Sequence, residues 1–294
     1  MPAAGISTFT SDKAQARFAR AYEGMRRQRW PAEATVIDVA TSFGSTRAYR
    51  IGSAGVPLVL LSGAGGNALS WHRYIRPFAA TRQVIVLDPV GEPGCSVQER
   101  PLHDGRDWAN WLHETLTALD VERVHLVGMS HGGWVALQYN LHLPGHTDTI
   151  TLLDPAGFGR LNGRFLAWIM LGGLAAFSPT PIRRLAARAL HNASLLDDDL
   201  VRLLRASTGF RRRHIAPPEI TDEELRRVTA PTLALLGERS QMYAAQAVAA
   251  QIRAQIPNAH AETVPEAGHD LPVRCPELVS NRTIQFTAAT EKQA

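Results

Sequence analysis

Residues Val124-His-Leu-Val-Gly128-Met129-Ser130-His131-Gly132-Gly-Trp134 decide the fold. Val124–Val127 is a short apolar run of the kind that forms a strand buried on both faces. Trp134–Leu143 continues with helical character. Between them lies Gly-x-Ser-x-Gly, and a serine there sits on a tight strand-to-helix turn. Flanking glycines leave room for the turn and for helix packing. The helix that follows aims its free N–H groups at any negative charge forming beside the serine. An ordinary βα turn with a capping serine would give the same five residues. Strand, turn and helix in this order favour the first reading and make Ser130 the candidate nucleophile.

The same rhythm extends in both directions. Pro57–Ser62, Gln83–Asp88, Thr149–Asp154 and Thr232–Gly237 are further short apolar runs. Helical stretches separate them, near Ser70–Ala80, Gly105–Leu119, Gly132–His142 and Ala244–Ile256. Alternation of this kind predicts an α/β fold, with a mostly parallel central sheet covered by helices on both faces. Upstream, Thr35–Ala40 and Arg47–Ile51 read as a hairpin joined through Phe43-Gly44-Ser45. Ser11–Trp30 reads as a charged surface helix within an N-terminal extension, 1–34. No buried-strand signal occurs between Asp154 and Pro231, and a structureless loop that long is unusual in a compact domain. An inserted helical cap over 155–229 is therefore expected, with 35–154 and 230–294 forming the core.

The bulk composition agrees. At about 150 residues per domain the 294-residue chain allows two domains or one large one with an insertion. Hydrophobic residues at 45% can fill a core. The net charge of +4 is too small and too spread for a nucleic-acid binder. Two cysteines, Cys95 and Cys275, supply neither a disulfide framework nor a structural zinc site. Phe165–Phe177 is the longest apolar run and too short for a membrane span, and Met1–Lys13 is polar, so a cytoplasmic location is expected.

Acyl transfer from a serine needs two backbone donors for the oxyanion and a base. Ser62-Gly63-Ala64-Gly65-Gly66 follows the first parallel-strand candidate, so the amides of Ala64 and His131 are the oxyanion candidates. His269, in Glu266-Ala-Gly-His269-Asp, follows the last strand candidate, Ala259–Val264, and is the candidate base. No cofactor or metal is expected.

These residues resemble the α/β-hydrolase family over about Val36 to Phe286. The glycine loop, with Ser62 where histidine is more usual, is similar to the family's oxyanion loop. Asp88-Pro-Val-Gly-Glu-Pro-Gly-Cys-Ser96 is similar to its Asp-x-x-Gly-x-x-Gly-x-Ser stretch. Gly128–Gly132 matches the nucleophile elbow, Gly268-His269 the C-terminal histidine, and the insertion the cap. The resemblance implies a serine hydrolase acting on an ester, thioester or lactone. It also implies a triad acid as Gly-x-x-Asp after the strand matched by Thr232–Gly237, where this chain has Gly237-Glu238-Arg239-Ser240. Two carboxylates remain. Asp154 ends a strand at which some members, certain haloalkane dehalogenases included, carry their acid; Glu238 lies in the usual loop but two residues early. Asp154 is the first choice and Glu238 the second, and a site with no acid is the third option.

The apolar run Phe165–Phe177 would roof the site, which favours an uncharged or acyl-bearing small molecule. Arg183-Arg184 and Arg211–His214 either pair with Asp197–Asp199 or form a rim for an anionic partner such as a carrier protein. Cys95 is either a reactive thiol near the site or a packed side chain. Two other uses of the fold stay open: a lyase or cyclisation step with Ser130 and His269 as acid and base, and ligand binding without catalysis.

Overall fold

The computed structural model describes residues 5–159, 162–213 and 216–292. In chain order the strands are β1 Thr8–Phe9, β2 Thr35–Thr41, β3 Gly44–Ile51, β4 Leu58–Leu61, β5 Val84–Leu87, β6 Val97–Gln98, β7 Val124–Met129, β8 Thr147–Leu153, β9 Phe210–Arg211, β10 Thr232–Gly237 and β11 Ala259–Val264. Nine of them form one sheet, ordered β11-β10-β8-β7-β4-β5-β3-β2, with β6 added against β3. Pairings from β11 to β5 are all parallel, and β3 pairs antiparallel with β2, β5 and β6. The chain leaves β4 towards β5 and returns to β7 on the other side of β4. The crevice above the carboxyl ends of β4 and β7 is therefore the topological switch point, where ligands bind in open α/β sheets.

The apolar runs work as strands because alternate residues enter opposite cores. Val59, Leu61, Ile85, Leu87 and Leu126 join one buried cluster, and Leu58, Leu60, Val84, Val86 and Val127 join the other. The helices, α1 Asp12–Arg29, α2 Ile75–Ala79, α3 Gly105–Ala118, α4 His131–His142, α5 Gly163–Ala176, α6 Thr180–Ala189, α7 Asp198–Ala206, α8 Asp222–Arg226, α9 Ala245–Gln255, α10 Leu271–Arg274 and α11 Pro276–Glu291, follow in chain order. The first core packs under α3, α4 and α9, the second under α1, α2 and α11. Helix α1 is capped by Ser11 Oγ, which accepts the Ala14 N–H at 3.2 Å, and ends on three arginines that suit its dipole. It is not merely laid on the surface, since Phe18, Tyr22 and Met25 are at most 2% exposed.

Four details differ from the sequence reading. The hairpin turns through Ser42-Phe43, with Thr41 opposite Gly44. Ser70–Ala80 is not one helix: Asn67 and Ser70 form a capping box that closes a 3₁₀ turn over Ala68–Trp71, and α2 begins only at Ile75. Helix α11 gives no apolar stripe to read, because of its four buried residues, Val279, Ser280, Thr283 and Thr287, only the first is aliphatic. The small β1–β9 sheet ties the N-terminus to the segment between β8 and β10. That segment is otherwise helical, and among the described residues it adds no strand to the large sheet.

Candidate active site

Ser130 lies between β7 and α4 with φ +51°, a left-handed conformation that costs a non-glycine residue roughly 1–3 kcal/mol. Surrounding backbone holds it there. Its N–H donates to the Leu153 carbonyl at 3.0 Å, and its own carbonyl accepts from Gly133, Trp134 and Ala156. The flanking glycines are obligatory for a packing reason. A Cβ on Gly132 would sit 2.1 Å from the Leu61 carbonyl, and one on Gly128 would sit 2.4 Å from the carbonyl of Gly132.

The loop after β4 passes close to this serine. A Cβ on Gly63 would come within 3.3 Å of the Ser130 Cβ, so glycine lets the loop approach. Within the loop, Gly66 N–H donates to the Gly63 carbonyl at 2.9 Å and Gly65 N–H to Glu92 Oε2 at 2.8 Å. Ala64 stands between these anchored residues. Glu92 is 1% exposed, and Arg212 Nη1 lies 3.6 Å from its Oε2. Sequence reasoning passed over Glu92, which occupies a variable position of the Asp88–Ser96 motif. Asp88 itself is a structural anchor, its carboxylate accepting from Tyr22 Oη and from the Ala68 and Cys95 amides. Replacing Glu92 with Ala, which removes the acceptor that holds the Gly65 N–H beside the expected oxyanion amide of Ala64, is expected to lower kcat about 10- to 100-fold with little change in KM. Steady-state kinetics beside a thermal melt separate this from loss of fold.

His269 follows β11, and Asp154 ends β8. His269 Nδ1 and Asp154 Oδ2 are 2.7 Å apart, with both side chains buried. Asp154, with φ +44°, is wholly inaccessible and accepts two more hydrogen bonds, from Ser240 Oγ to Oδ2 at 2.7 Å and from Gly237 N–H to Oδ1 at 3.0 Å. A carboxylate facing Nδ1 fixes the ring as the Nδ1–H tautomer and leaves Nε2 basic. The residue at the Gly-x-x-Asp position is thus a serine that donates to the carboxylate arriving from β8. Gln241 Oε1 accepts the His269 backbone N–H at 3.1 Å. Burial, with the adjacent Asp154 carboxylate, pushes the Tyr243 phenol well above its ordinary range. Sequence reasoning missed Gln241 and Tyr243, since neither carries a motif.

Glu238 is not brought to the histidine. It is exposed and its Oε2 accepts the Glu266 N–H at 3.1 Å, because the backbone after β10 turns its side chain away from the sheet end. Among the described residues Glu238 pairs with no arginine, and Arg239 bonds Glu266. Cys95 packs against the core, where burial and the Asp88 carboxylate push its thiol up to about 12, against a reactive thiolate. Of the arginines expected to pair with Asp197–Asp199 or to form a rim, only Arg183 meets that cluster, through Asp198, while Arg184, Arg211, Arg212 and Arg213 stay exposed; Asp197 and Asp199 pair instead with Arg73, Arg29 and Arg202. His214 lies outside the described residues.

A cavity of about 370 Å³ adjoins the loop 62–66 and Met129, the neighbour of Ser130, with Trp71, Trp168, Ile169 and Leu203 among its walls. That is the small end of the range for small-molecule sites, about 300–1,000 Å³. Helix α5 covers the histidine: the rings of Phe165 and Trp168 stand edge-on to His269 at 5.1 and 5.9 Å. Among the described residues no group of three or more His, Cys, Asp or Glu side chains could hold a metal ion, and no helix is long and apolar enough to cross a membrane.

The chain is similar to known proteins over most of its length. A Bacillus subtilis protein named "uncharacterized carboxylesterase nap" is 26% identical over 275 residues, covering 87% of this chain and 88% of its own length. Carboxylesterase YbfK of the same organism is 26% identical over 296 residues, covering 95% and 96%. The crystal structure of naproxen esterase from Bacillus subtilis superposes with a TM-score of 0.82 at 26% identity, covering 95% of this chain and 99% of that one. The model of the alpha/beta hydrolase family matches residues 58–282. With the sheet order and the elbow already in place, that match over most of the chain means that it belongs to the α/β-hydrolase family.

Proposed function

We propose that the protein is a serine hydrolase cleaving carboxylic esters, with Ser130 as nucleophile, His269 as base, Asp154 as the orienting acid and the amides of Ala64 and His131 as the oxyanion hole. The observation that carries this reading is the 2.7 Å contact of His269 Nδ1 with Asp154 Oδ2 at the carboxyl end of the sheet, which also bears the strained Ser130. The carboxylesterase names of its relatives support the reaction class.

In the proposed cycle Ser130 Oγ attacks the acyl carbon as its proton passes to His269 Nε2. Asp154 stabilises the imidazolium, and the two amides hold the oxyanion. Collapse expels the alcohol, which takes the proton from His269. Water, deprotonated by His269, then attacks the acyl-enzyme, and the acid leaves as Ser130 recovers its proton. Helices α5 to α7 act as a cap in this scheme. Their inner side, with Trp168, Ile169 and Leu203, gives the acyl group an apolar chamber and keeps bulk water from the intermediate.

A panel of p-nitrophenyl esters with acyl chains from acetyl to palmitoyl, beside thioesters and lactones, tests the reading. The chamber predicts that kcat/KM rises from acetyl to medium or aryl acyl groups and falls for palmitoyl. Folded protein that turns over no member of the panel would contradict it.

A further inference from the structure

Helix α5 is apolar on nearly all sides, yet only half of it meets the protein. Phe165, Gly172, Ala175 and Ala176 face inward and are buried. Met170, Leu171, Leu174 and Phe177 recur at helical spacing on the other side, and each is at least half exposed. Ile182 and Leu185 of the adjoining α6 extend the same surface, at 56% and 68% exposure. A run of this many large apolar side chains in water marks a surface that something covers.

Charge indicates what covers it. Residues 162–196 contain Arg164, Arg183, Arg184 and Arg188 and no aspartate or glutamate, a local charge equal to the +4 of the whole chain. Arg183 is buried and paired with Asp198, but Arg164, Arg184 and Arg188 are exposed and make no ion pair among the described residues. A two-fold pairing of this face with a second copy would set these arginines beside their own copies, with no carboxylate in the patch to offset them. An apolar face bordered by cations is instead the composition of an interfacial anchor on anionic lipid.

We propose that the outer face of α5 and α6 seats on a lipid surface bearing anionic headgroups. Met170, Leu174 and Leu185 enter the acyl boundary, while Arg164, Arg184 and Arg188 pair with the headgroups. Ile169 and Leu204, half-exposed at the edge of this face, also line the cavity beside Ser130, so an ester dissolved in the lipid layer meets the cavity mouth directly.

Co-sedimentation of the full chain with phosphatidylcholine vesicles, with and without phosphatidylglycerol, tests the proposal by binding alone. Wild type is expected to pellet with the phosphatidylglycerol vesicles and to be released by salt. The double variants Met170→Glu/Leu174→Glu and Arg184→Glu/Arg188→Glu should each lower the bound fraction at least about tenfold. Both should keep the wild-type melting midpoint, because every substituted side chain is exposed. Wild type that stays in the supernatant with both vesicles overturns the proposal. Equal binding to neutral vesicles, indifferent to the arginine variant, overturns the anionic assignment. A wild-type dimer that Met170→Glu/Leu174→Glu splits shows that a second copy covers the face, and overturns it as well.

Discussion

Replacing Asp154 with Asn is expected to lower kcat/KM on a short ester by about 10⁴-fold, with KM nearly unchanged. The amide keeps the shape of the carboxylate but can present N–H to His269 Nδ1. That holds the ring in the wrong tautomer and removes the charge that stabilises the imidazolium. Glu238→Gln serves as the control and keeps wild-type turnover, since Glu238 is exposed and engaged with the Glu266 amide. Ser240 refines the test, because its hydroxyl shares Asp154 Oδ2 with the histidine. Asp154→Asn/Ser240→Asp puts a carboxylate back at the position most of the family uses. Partial recovery of turnover in that double variant is the expected outcome of steady-state kinetics. Full activity in Asp154→Asn would remove Asp154 from the mechanism.

A larger loss is expected for Ser130→Ala, about 10⁶-fold in kcat, because the proposed covalent route disappears while the binding cavity stays intact. Binding of a non-hydrolysable substrate analogue should change little, and the melting midpoint should stay near wild type, since neither side chain alters the φ of the elbow. A lyase or cyclisation reaction using Ser130 only to pass protons would keep measurable turnover of its own substrate without any acyl-enzyme. Burst kinetics with a p-nitrophenyl ester separate the two: hydrolysis gives a stoichiometric release of nitrophenol in wild type and none in the variant.

Much of the scaffold could be read because its signals are local. Runs such as Leu58–Leu61 and Val84–Leu87 bury both faces, so they are apolar throughout and stand out from amphipathic helices. The elbow was legible because Gly128 and Gly132 are each forced by a neighbouring carbonyl. What escaped depends on contacts far apart in the chain. Glu92 reaches Gly65 across 27 residues, and Ser240 meets Asp154 across 86, so neither leaves a periodic trace. Helix α11 escaped because threonines replace aliphatic residues on its buried face. The sequence ranks Asp154 before Glu238 and before a site with no acid, without separating them further, because both carboxylates end or follow parallel strands. Only the direction of each side chain separates them: Asp154 turns inward to His269, and Glu238 outward to a backbone amide.

Intact-protein mass spectrometry with a fluorophosphonate probe tests most directly whether Ser130 carries the acyl group. One adduct per chain, mapped by proteolysis to the peptide containing Ser130, absent from Ser130→Ala and strongly slowed in Asp154→Asn, is the predicted result. Protein that hydrolyses esters yet takes up no probe at Ser130, or carries the adduct on another residue, would contradict it.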